Sequence, residues 1–126
     1  MADKITESEI STLVDSFYDK VRRDPDIGPI FNAIVDDWPL HLALLKDFWS
    51  TVLLTTGRYK GDPMMKHLQL SLDPPHFERW LALFAETANE VLSPEHAATV
   101  IEKSHRIARN FKAGIAYQQA QRDAIR

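Results

Sequence analysis

The sequence predicts an all-α domain whose helices pack in pairs. Apolar residues recur at steps of three and four in one segment after another. Asp or Ser stands directly before Pro at Asp62-Pro63, Asp73-Pro74 and Ser93-Pro94, where the chain can stop one helix and start the next. No stretch alternates apolar and polar residues as a half-buried strand would, and there is no internal repeat or low-complexity linker. At 126 residues the chain is expected to be a single domain, 1–126, large enough to bury a real core.

Thr6 followed by Glu9 has the form of a capping box. Ile10, Leu13, Val14, Phe17, Tyr18 and Val21 then share one helical face. This first helix should end near Arg23, because Asp24 precedes Pro25 and a residue before proline avoids the helical region. A short helix or turn, GPIFNAIV, follows. Asp37 can cap the next helix, with Pro39 tolerated in its first turn and Gly57 as its predicted exit. His41, Leu45, Phe48, Trp49 and Val52 fall on one face of it.

Asp62-Pro63 should open a short helix carrying Met64, Met65, Lys66, His67 and Leu68, with His67 near its end. A fifth segment begins at Asp73-Pro74 and has Phe77, Trp80, Leu81, Phe84, Ala88 and Val91 along its stripe. The last starts at Ser93-Pro94 and turns Ala97, Val100, Ile101, Ser104, Ala108, Phe111 and Ile115 inward. Its polar tail, Gln118 to Arg126, is expected to fray.

With 15 basic and 18 acidic residues the net charge is −3, and the basic ones are scattered. That argues against nucleic acid as a partner, which requires a concentrated basic face. No cysteine is present, so there is no disulfide framework, thiolate metal site, cysteine nucleophile or covalent attachment of haem through Cys-x-x-Cys-His. The N-terminus lacks an apolar signal core and no apolar run is long enough to span a bilayer, so no membrane partner is expected. A cytoplasmic protein is the expectation.

The chief functional clue is a pair of histidines, His41 and His67, on either side of an aromatic, leucine-rich segment. A flat apolar cofactor can lie between two such imidazoles, and a haem iron needs one neutral imidazole below and polar groups above. Taken alone, however, a single histidine on a partly apolar helix is more often a packing or surface group than a ligand. Tyr18 and Trp80 likewise read as core residues unless a cofactor is present. His76, His96 and His105 read as surface or packing histidines.

The order and spacing of four segments resemble the truncated haemoglobins, and specifically their third group. They are FYDKVRRDPDIGPIF near the start, DDWPLHLALLKDFWSTVLLTTGRYKGDPMMKH in the middle, HFERWLALF later and HRIA in the last helix. The glycine-pair signals of other truncated haemoglobins are missing, as suits the third group. The resemblance implies a two-over-two helical sandwich enclosing a noncovalent haem b, with His67 as the proximal iron ligand. It also implies Tyr18, His41 and Trp80 on the distal side.

In that setting Tyr18 and Trp80 would each donate a hydrogen bond to a bound diatomic ligand. His41, near the start of its helix, suits a gate between pocket and solvent, a hydrogen-bonding partner, or a direct iron ligand when no gas is bound, and of these the gate is preferred. Phe31, Leu45, Phe48, Trp49, Met64, Met65, Leu68 and Phe77 are candidates for the cofactor walls. Arg58, Tyr59 and Lys66 are candidates to meet the propionates at the solvent edge.

Three functions compete. The first is reversible binding of dioxygen, nitric oxide or carbon monoxide for sensing, scavenging or protection rather than bulk transport. The second is a haem redox enzyme, peroxidase-like or converting nitric oxide to nitrate with a reductase in trans. The third is a cofactor-free helical interaction module. The sequence favours the first, since it supplies a ligand pocket but no reductase domain.

Overall fold

A computed structural model describes residues 4–59 and 74–125, apart from the side chains of residues 115, 118–120 and 122–125. All of its regular structure is helical: α1 (Glu7–Arg23), α2 (Gly28–Ile34), α3 (Trp38–Leu54), α4 (Pro74–Val91) and α5 (Pro94–Ile125). The expected helix through Met64 to Leu68, with His67, lies outside the described residues.

The predicted starts and stops follow from local chemistry. Thr6 accepts the Glu9 amide at 3.1 Å while the Glu9 carboxylate accepts the Thr6 amide at 3.1 Å, so the capping box is complete. Asp24 ends α1 in extended backbone before Pro25. Asp37 caps α3 by accepting the Leu40 amide at 3.1 Å, and Pro39 sits in the first turn.

Two boundaries differ from expectation. α3 ends at Leu54, not at Gly57, because Thr55 itself adopts the left-handed conformation (φ 54°, ψ 35°) and closes the last turn. Gly57, at φ 71°, turns the chain two residues later. At the other end the backbone of α5 stays helical to Ile125 instead of fraying from Gln118. That tail is rich in Ala, Gln and Arg, which favour helix, and contains no proline to stop it.

α1 is the central element. It packs on α2, α3 and α4, while α4 packs on α5, so one pair is α1 with α3 and the other α4 with α5. Ile10, Leu13, Val14, Phe17 and Val21 of α1 are fully buried against Leu45 and Trp49 of α3 and Phe84 and Ala88 of α4. A smaller cluster of Phe77, Ala108 and Phe111 lies apart from this core, between α4 and α5.

Polar contacts fix how the pairs cross. Lys20 of α1 reaches both Glu86 and Glu90 of α4 at 2.9 Å. The buried Asp24 carboxylate meets Arg79 at 2.7 Å and accepts the amides of Asp26 and Ile27 at 3.0 Å. Gly28 opens α2 directly beneath the end of α1, where the carbonyl oxygens of Val21 and Arg22 would lie 2.9 Å from any Cβ at that position.

Candidate functional site

Tyr18 is the centre of the site. The α1 stripe carries it inward to 2 % exposure. Its ring lies 6.3 Å from Phe31, 6.1 Å from Trp38 and 6.3 Å from His41, centroid to centroid. Burial pushes the phenol pKa well above its ordinary value, and a hydrogen bond with Trp80 opposes this only in part. The hydroxyl is therefore neutral at any physiological pH and keeps its proton. An indole has a donor and no acceptor, so toward the Tyr18 oxygen Trp80 can only donate.

The three residues assigned to the distal side thus come together from three helices: Tyr18 from α1, half-buried His41 from α3 and half-buried Trp80 from α4. Trp80 is held from behind by its neighbours, stacked on Phe84 at 5.4 Å and edge-on to Phe17 at 5.2 Å.

Two of Tyr18's neighbours, Phe31 and Trp80, also line an apolar pocket. Its other walls are His76 and Phe77 of α4 and Ile107, Ala108 and Phe111 of α5. A larger cavity of about 400 Å³ opens between the end of α3 and the start of α5, but its lining is mixed, including Lys4, Glu95 and His96, and none of the assigned residues reaches it. Among the described residues no three acidic or histidine side chains gather as a metal site.

Of the other assigned wall residues, Phe31 and Phe77 are buried and line the pocket. Leu45 and Trp49 are buried in the main core, with Trp49 stacked on Phe84 at 5.1 Å. Phe48 is half-buried against that core and packs edge-on to Tyr59 at 5.6 Å. Arg58 lies 3.6 Å from Glu7, and the Tyr59 amide donates to Thr51 at 3.0 Å. Met64, Met65, Lys66, His67 and Leu68 lie outside the described residues.

Two features escaped the sequence reading. His76, taken as a surface or packing residue, is half-buried in the pocket wall. Ala108 and Phe111 were placed on the inner face of α5, but nothing distinguished a pocket from core there. The signal was present in the spacing of His76, Phe77 and Trp80, which puts an imidazole beside two aromatic rings on one helical turn.

Comparison with known proteins identifies the family and the fold. The bacterial-like globin family matches residues 3–113. The chain is 38 % identical over 115 residues to the group 3 truncated hemoglobin of Campylobacter jejuni, covering 87 % of this chain and 91 % of that one. The crystal structure of the group III truncated hemoglobin from Campylobacter jejuni superposes with a TM-score of 0.82 at 39 % identity, over 90 % of this chain and 94 % of the other. The group II truncated hemoglobin from Bacillus anthracis gives 0.73 at 27 % identity over 83 % of each chain.

A two-over-two helical sandwich around an aromatic pocket defines a truncated globin. The chain belongs to the bacterial-like globins and, within them, to the group III truncated haemoglobins.

Membership implies a haem cofactor, and the residues present fit one. The pocket walls are almost wholly apolar and aromatic, as a flat macrocycle requires, and a buried, protonated phenol stands beside them. No described helix is long and apolar enough to cross a membrane.

Proposed function

We propose that this globin holds haem b noncovalently and reversibly binds dioxygen and other diatomic ligands, for scavenging, sensing or protection rather than bulk transport. The observation that carries the reading is the buried Tyr18 phenol, whose ring meets Phe31 and His41 beside an aromatic pocket lined by Phe31 and Trp80. When bound, haem would supply an iron held by a histidine and able to take up a small diatomic molecule.

His67 is the proximal residue in this reading. Tyr18 would donate its hydroxyl hydrogen to the ligand, and Trp80 would add a second hydrogen bond of the same kind. His41 controls passage from solvent. Phe31 and Phe77 exclude water, while Arg58, Tyr59 and Lys66 face the cofactor's carboxylate edge. The protein works in the cytoplasm, and any return to the ferrous state requires a reductase in trans.

The test is an absorption spectrum of haem-reconstituted protein, ferric, then reduced, then with carbon monoxide. A sharp Soret band that shifts at each step is expected, and a broad free-haem spectrum would overturn the reading. His67→Ala should lose the histidine-ligated spectrum while His76→Ala keeps it. The reverse result would move the proximal role to His76, which also lies in the pocket wall. Sustained turnover of peroxide, or of nitric oxide with a reductase, would replace ligand binding by redox catalysis.

A further inference from the structure

Trp38 was not among the residues singled out from the sequence, yet it is the most constrained side chain around the site. It is the first residue of α3, three positions before His41, so the two share a helical face. The rings meet edge to face at 5.5 Å and 86°. On its inner side Trp38 is 6.1 Å from the Tyr18 ring. Its indole N–H donates to the Asn32 side-chain oxygen at 3.2 Å, and the Asn32 amide donates in turn to the Arg22 carbonyl at 3.2 Å. The Arg22 guanidinium covers the indole face at 4.8 Å.

Three elements therefore grip one ring. α1 covers it with a cation, α2 accepts its only donor, and α3 anchors its backbone. A buried indole with its donor satisfied and a cation on its face has little freedom to change rotamer. His41 has a different character: it is half-buried and one helical turn further along. Toward the start of α3 the imidazole packs directly against this indole.

We propose that Trp38 is a positioning residue that holds the His41 ring beside Tyr18, so that the rate of ligand entry is set by the Trp38–His41 contact. The proposal rests on the pocket reading above and adds a residue that is not among the pocket walls. Trp38 acts through His41 and controls entry, whereas Tyr18 controls retention.

The experiment is a double-mutant cycle on the haem-loaded protein, using carbon monoxide association and oxygen dissociation rates. Trp38→Leu is expected to raise the association rate about tenfold, as for loss of a gating contact, and to leave oxygen dissociation nearly unchanged. In a His41→Leu background the same substitution should have almost no further effect on association. An unchanged association rate in folded Trp38→Leu, or an equally large effect without His41, overturns the proposal.

If Trp38→Leu does not fold, Trp38→Phe replaces it, keeping an aromatic ring but losing the bond to Asn32. A smaller rise in association is then expected, and no rise overturns the proposal. Nuclear magnetic resonance of the diamagnetic carbon monoxide complex gives an independent readout. The His41 ring protons should shift and broaden in Trp38→Phe, and unaltered resonances would show that Trp38 does not restrain the imidazole. Tyr18→Phe serves as the control: unchanged oxygen dissociation there would sink the pocket reading, while the resonance experiment still judges the Trp38–His41 contact.

Discussion

Asp24 and Arg79, 55 residues apart in sequence, meet at 2.7 Å where α1 crosses α4, and the next residue after Arg79 is the Trp80 that contacts Tyr18. Asp24 is buried, with its side chain 2 % exposed, whereas the Arg79 side chain is 44 % exposed. The carboxylate gains more from the pair than the guanidinium, because it is the group removed from water. It also holds the α1–α2 corner through two amides.

Arg79→Gln should therefore lower stability by about 2 kcal/mol, the usual scale for a hydrogen bond to a charged group. The buried carboxylate would be left with only its two amides. Chemical denaturation of the variant against the parent protein measures this, and a change below a few tenths would mean that the pair is ornamental.

The same carboxylate sets a pH dependence. Burial raises the Asp24 pKa, but Arg79 and the Ile27 and Asp26 amides more than offset that, and the net shift is downward. Glu9 is also lowered, chiefly by its hydrogen bond with His96 at 2.8 Å. A depressed folded-state pKa means stability that is fully present above the unfolded value and lost as pH falls through the folded one. Thermal unfolding should show these contributions intact at neutral pH and declining below about pH 4. In Asp24→Asn the acid slope should be shallower, and an identical slope would exclude Asp24 as its source.

Tyr18→Phe removes the hydroxyl and keeps the ring. If the phenol donates to the ligand, a bond of about 1.5–3 kcal/mol is lost and oxygen should dissociate roughly tenfold to a hundredfold faster. Trp80→Phe, which removes the second candidate donor, should act in the same direction. Stopped-flow displacement of oxygen by carbon monoxide reads both rates.

Gly28→Ala should destabilise by about 1–3 kcal/mol, since the added methyl meets two backbone carbonyl oxygens at 2.9 Å that no rotamer change can move. A neutral melting temperature would show that α2 can shift away from α1 without cost.

Thr55→Gly should have the opposite sign. Thr55 closes α3 at φ 54°, a region unfavourable to a β-branched residue. Glycine there relieves about 1–2 kcal/mol of backbone strain, reduced by the greater entropy of the unfolded chain and by loss of the Thr55 hydroxyl bond to Leu54. A modest net gain in denaturation midpoint is expected, and a loss would mean that the hydroxyl matters more than the backbone.

The sequence by itself determined the helix starts and most of the stops, because these depend on near neighbours: a side chain bonding an amide three residues away, or a proline ring clashing with the residue before it. It also determined which residues turn inward, and its family pattern brought Tyr18, His41 and Trp80 into one site. Tertiary structure decided what each inward residue meets. Helical period shows that Phe77, Trp49 and Trp80 all face inward, but not that Trp49 enters the core while Phe77 and Trp80 line a pocket. Only the crossing of α1 over α4 brings Asp24 to Arg79 and the Trp80 donor to Tyr18. Only the meeting of α1, α2 and α3 encloses Trp38. Such contacts depend on crossing geometry, which is set by packing across the whole domain and leaves no local signature in the chain.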